Sequence, residues 1–199
     1  MATFGDNLGG RLALLAPDDL TSNQKKLYEQ LQATMVPWAK KSGFQAETFD
    51  EKLIGPFNPM LRSPEIATAV MGVNKAEGEH TSLTEKVRQV IILTVGAVWQ
   101  AAYELYAHTA VAEKAGFDEA TIQALVAGQK PTGLSLEEGL AYDFTRSLAA
   151  THQVDTSLYE HAIVTFGEKG VLDMIFLAGQ YMTISAVLNA FAVPAPPQY

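Results

Sequence analysis

The sequence predicts an all-α protein of about seven to eight helices in a single domain. Apolar residues recur at three- and four-residue spacing through most of the chain. Capping residues and Gly–Pro signals punctuate those runs at helix-length intervals, and no stretch alternates like a half-buried strand.

The first helix is expected over residues 21–41, where Leu27, Leu31 and Met35 share one face. Residues 42–63 read as a loop-rich stretch, with Gly55-Pro56 and Asn58-Pro59 as turn signals. Ser63-Pro64-Glu65 opens a second helix: serine can cap, proline fits the first helical position, and glutamate favours the positive end of the dipole. That helix is predicted to run to about Gly78, leaving His80 in a loop. Ser82-Leu83-Thr84-Glu85 reads as a capping box opening a long helical region that ends near Gly116. Gly96 and the bulky Trp99 in its middle predict a bend there. Shorter helices follow over 118–127 and, after a Ser135-x-x-Glu138 box, over 136–150. Asp155 caps a seventh to about Phe166, and a last covers 171–191 before the proline-rich end.

Composition narrows the function classes. Of 199 residues 48% are apolar and 18% charged, which suits a sizeable packed core and not a disordered chain. Fourteen basic residues against 22 acidic ones leave a net charge of −8, so nucleic acid is not expected as a partner. There are no cysteines, which excludes disulfides, zinc–thiolate sites and thiol nucleophiles. The opening residues MATFGDNLGG lack the basic start and apolar run of a signal peptide, so a cytoplasmic location is expected. Residues 171–193 are long enough to suggest a membrane span. Asp173, Gln180 and Asn189 interrupt them and no basic cluster follows, so burial against other helices or subunits is expected instead.

The segment Trp99 to Gly116 carries the candidate chemistry. Glu104 and His108 are four residues apart, so on a helix they share a face. A carboxylate beside an imidazole fixes the ring's tautomer and raises its basicity, making a proton-transfer pair tunable near neutral pH. Trp99, Tyr103, Leu105 and Tyr106 around them predict a mostly buried helix. A charged pair is costly to bury unless partnered, which favours a functional role over a solvated chance pairing.

The stretch from Ser82 to Ala127 resembles the core of the carboxymuconolactone decarboxylase family, within the alkylhydroperoxidase D-like superfamily. That family's peroxidase branch carries Cys-x-x-Cys-x-x-x-His with a glutamate upstream; here these positions hold Ala101, Glu104, His108 and Gln89. Both thiols are absent, so peroxidase chemistry is excluded. Tyr103-Glu104 with His108 instead matches the Tyr-Glu-x-x-x-His of the cysteine-free, decarboxylase-like branch. Gln89 stands where that branch has glutamate. The resemblance spans about 11–193, with a helical extension over about 1–62 and a core over about 63–193.

The resemblance implies cofactor-free loss of carbon dioxide from a small lactone or cyclic keto acid. His108 would donate or shuttle the proton and Glu104 would orient it, without a metal. It also implies a homo-oligomer, trimeric or hexameric. Arg88 and Arg62 are candidates to hold an acid group bidentately, weighed against structural salt bridges. Gln89 and His80 are further candidates near the substrate, and Phe57, Met60, Trp99, Tyr103 and Tyr181 for an apolar pocket. The same apparatus would serve an isomerase, and the missing glutamate leaves open a non-catalytic oligomeric ligand-binding protein.

Overall fold

The computed structural model describes residues 7–197; the first six residues of the opening segment read above lie outside them. Among the described residues the chain forms eight α-helices and, apart from one isolated bridge between Glu47 and Leu53, no β-structure. They are α1 Ser22–Ser42, α2 Phe57–Met60, α3 Pro64–His80, α4 Glu85–Trp99, α5 Ala102–Lys114, α6 Glu119–Val126, α7 Leu136–Thr151 and α8 Thr156–Ala190.

Helix α4 is the axis of the fold. Every residue from Gln89 to Gly96 is buried, and α5, α6, α7 and α8 all pack against it. A helix apolar on all sides has no solvated face, so its neighbours must enclose it. Its two flanks feed separate cores. Val87, Ile91, Ile92 and Val95 meet α7 and α8, while Val90 and Leu93 meet α5, α6 and α7. A third core joins α1, the 44–61 segment, α3 and α5.

The predicted region 82–116 is two helices. The chain turns at Gln100, held at φ 52° in the left-handed region, and α5 folds back onto α4. Gly96 permits the close approach: a Cβ there would lie 3.0 Å from Leu105 and 3.6 Å from Glu104. This contact seats the Glu104 helix against the helix that carries Gln89.

The caps explain most boundaries. Ser135 and Glu138 form the expected capping box, and Asp155 caps α8 through Leu158 N–H. The cap of α4 differs from expectation. Thr84, not Ser82, accepts from Val87 N–H at 3.3 Å, because both the amide and the hydroxyl of Ser82 are bound to Asp173 of α8 at 2.8 Å. His80 is likewise not in a loop but is the last residue of α3. The expected seventh and last helices are the two arms of α8, separated at Gly167, whose φ 68° and ψ 172° are not helical. By length and apolar composition α8 passes as a membrane span. Its Val171, Met174, Leu177, Ala178 and Tyr181 are nonetheless buried in the core with α4 and α7.

Candidate functional site

Between α1, α3, α4, α5 and the C-terminal arm of α8 lies a cavity of about 370 Å³. Its wall includes Met35, Trp38 and Phe44 on one side and Val70, Met71 and Ile184 on another. The segment after α1 is held in place by two tyrosines of α5. Tyr103 Oη donates to Gln45 O at 2.5 Å, and Tyr106 Oη accepts from Gln45 N–H at 3.0 Å. Gly55, at φ 62°, has no Cβ because the Tyr103 ring occupies that space.

The polar heart of the cavity is a chain of hydrogen bonds. Glu104 Oε1 lies 3.2 Å from His108 Nε2. On the other side of the ring, His108 Nδ1 lies 2.8 Å from Gln89 Oε1, and Gln89 Nε2 donates to Glu85 Oε1 at 2.7 Å. The last bond sets the rest. Glu85 as a carboxylate only accepts, so Gln89 turns its NH₂ outward and its oxygen toward the imidazole. His108 Nδ1 must then carry the hydrogen, which leaves Nε2 of the neutral ring as an acceptor facing Glu104.

Burial decides the protonation states. Glu104 and His108 are each only 4% exposed. Desolvation pushes the Glu104 carboxyl up to about 8. Desolvation, then the positive charge of Arg88, pushes His108 down to about 3. The expectation that the carboxylate raises the ring's basicity is therefore corrected, because loss of solvation outweighs the neighbour. At neutral pH a protonated Glu104 faces an unprotonated Nε2, and the two share a single proton. Tyr181 stacks edge-on against His108 with centroids 5.0 Å apart, and burial holds its phenol well above the usual range.

A second cluster lies at the rim. Arg88 donates through Nε and Nη2 to both oxygens of Glu77, at 3.1 and 2.6 Å, and through Nη1 to Glu85 Oε2 at 2.6 Å. Burial works against its charge, but the bond to Glu77 and the charges of Glu77 and Glu85 prevail and raise its pKa. Among the described residues no three His, Asp or Glu side chains converge as metal ligands.

Of the residues singled out in the sequence, His108, Glu104, Arg88, Gln89, Phe57, Met60, Tyr103 and Tyr181 line this one cavity. Three do not. Arg62 binds Asn58 O at 2.9 Å and Ala13 O at 2.5 Å, tying the N-terminal segment to α2. Trp99 packs between two cores, and its carbonyl accepts from Asn189. His80 is exposed at the end of α3. Sequence reasoning passed over Met35, Trp38, Phe44 and Gln180. These come from α1, the segment just after it and α8, far from the core motif in the chain, and beforehand Met35 was visible only as part of a helical face and Gln180 only as a polar interruption.

The family model for the carboxymuconolactone decarboxylase family matches residues 64–145, a span that contains Gln89, Glu104 and His108. No curated protein matches the chain in sequence. Solved structures share its fold at low identity. An uncharacterized peroxidase-related protein from Silicibacter sp. TM1040 superposes with TM-score 0.74 at 18% identity, covering 100% of this chain and 97% of that one. Another peroxidase-related protein, from Ralstonia eutropha JMP134, described as an alkylhydroperoxidase AhpD core, gives 0.72 at 14% identity over 94% and 92%. The debrominase Bmp8, in a cysteine-to-alanine variant complexed with 2,3,4-tribromopyrrole, gives 0.71 at 14% identity over 94% of each chain.

Proposed function

From the family match over residues 64–145 and the shared fold, we propose that this chain belongs to the carboxymuconolactone decarboxylase family and is a cofactor-free enzyme that moves a proton to or from carbon in a small cyclic substrate. One observation carries this reading: the buried Glu104 and His108 face each other at 3.2 Å in the wall of a cavity. A group titrating near 8 is matched to acid–base work at neutral pH. The debrominase's tribromopyrrole supports a ring of modest size as the shape such a scaffold receives.

Two reactions would use the pair. In decarboxylation of a lactone or cyclic keto acid, the bond to the carboxylate breaks and carbon dioxide leaves. The electron pair remains as an enolate, and the Glu104 proton quenches it at carbon. A solvent proton must then reload the pair. In isomerisation the pair gives one proton and takes one back at another carbon, so the count is unchanged. Gln89 favours isomerisation. An amide in the position between His108 and the half-exposed Glu85 is a poor proton carrier, so a relay through Glu85 is disfavoured as the source of a replacement proton.

Proton NMR in deuterated water, with a panel of cyclic enones, lactones and keto acids, tests the reading. Wild type should incorporate deuterium or convert substrate. His108→Gln should slow this by roughly 10²–10⁴-fold, the usual weight of general acid–base catalysis, while melting near wild type. Equal rates in the folded variant would sink the assignment.

The same reading has the chain working as a cytoplasmic homo-oligomer. Ile66 and Val73 on α3 and Leu172, Ile175 and Phe176 on α8 are all exposed, and the two helices pack together. Large apolar side chains left exposed on two packed helices support burial against another copy. Sedimentation velocity should show an assembly that Phe176→Lys dissociates; a wild-type monomer at micromolar concentration refutes it.

A further inference from the structure

We infer that the cavity admits an uncharged, mostly apolar ring compound and discriminates against carboxylates. This rests on the proposed function only in taking the cavity as the substrate site. It concerns which molecule enters, and of the two reactions above it leaves isomerisation, since a decarboxylase must admit a carboxylate.

Charge comes first. Arg88 is the one cation among the described residues lining the cavity. It is bidentate to Glu77 and bonded again to Glu85. One guanidinium facing two carboxylates leaves a net negative cluster. An incoming acid would lose its hydration beside that cluster and meet no uncompensated cation, which is costly without a partner. The expected acidic substrate depended on an arginine that the fold has already engaged.

The wall agrees with this. Trp38, Phe44, Phe57, Met35 and Met71 line the space, a surface that favours flat apolar rings. Its polar groups apart from the Arg88 cluster include the neutral Gln89, His108 and Glu104, already bonded to one another.

Calorimetric titration of the full chain at pH 7 with 2-naphthol and 2-naphthoate tests the proposal. Naphthol should bind at least about tenfold more tightly than naphthoate. Glu77→Gln, which lightens the load on Arg88, should raise naphthoate affinity and leave naphthol unchanged. Naphthoate binding best, with the preference lost in Arg88→Met, overturns the inference, as does no binding by either compound. Because binding is read without turnover, these outcomes leave the proton-transfer reading untouched. That reading fails separately, on turnover by His108→Gln.

Discussion

Arg88 and Gln89 are neighbours on α4 and open onto the same cavity, yet they anchor opposite electrostatic regimes. The Arg88 cluster is charged: one guanidinium and two carboxylates, with Glu85 reaching water at 49% side-chain exposure. The Gln89 cluster holds Glu104 and His108, which burial discharges. Glu85 joins the two, giving one oxygen to Arg88 and the other to Gln89. A carboxylate stays charged where an arginine and some solvent remain. On α5, out of reach of solvent, a glutamate bonded only to an imidazole keeps its proton. Gln89 marks the boundary, since an amide can bond to both sides without adding charge to either.

If that division is right, the two clusters should respond very differently to losing a member. Glu77 has a side chain only 5% exposed and depends on Arg88. Arg88→Met strands it, and removing one partner of a buried pair costs about 3 kcal/mol. Glu104→Gln swaps a neutral acid for a neutral amide, so at pH 6 the expected loss stays under about 1.5 kcal/mol, the scale of one hydrogen bond. Urea unfolding of both variants reads the contrast. Equal losses would mean that the inner pair is ionised like the outer one.

The site was legible in the sequence where it is local. Glu104 and His108 share a helix face by spacing alone, and Gln89 stood out against the family pattern. Helix ends were legible for the same reason, since the box at Ser135 and the cap at Asp155 involve residues three apart. What failed was long-range. Ser82 lost its capping role to Asp173, 91 residues on. Arg62 was drawn away by the carbonyl of Ala13, 49 residues before it. Gln180 was legible only as a polar break in an apolar helix, because its place in the cavity wall exists only once α8 packs beside α3 and α4. The ionisation of the pair was misjudged because the sequence placed the carboxylate beside the ring without showing how completely both are closed off from water.

That ionisation sets a pH dependence with a definite sign. Burial raises Glu104 from 4.5 to about 8, so the folded protein keeps a proton that the unfolded chain has released. This contribution is complete below about 4.5 and is lost as pH climbs toward 8. His108 falls from 6.5 to about 3, so its contribution is complete above about 6.5 and is lost as pH drops toward 3. Between 4.5 and 6.5 the slopes cancel, leaving a plateau with a limb on either side. A difference of one bound proton is worth about 1.4 kcal/mol per pH unit, so the alkaline limb amounts to roughly 2 kcal/mol. Glu104→Gln should flatten that limb and extend the acid one up to about 6.5; His108→Gln should flatten the acid limb and extend the alkaline one down to about 4.5. Unfolding free energies measured across the range give the limbs, and imidazole nitrogen shifts identify their owners. The His108 ring should remain neutral, with the hydrogen on Nδ1, at pH 6. A charged imidazolium there would show that the inner cluster is an ion pair after all, and would make His108, not Glu104, the residue holding the proton.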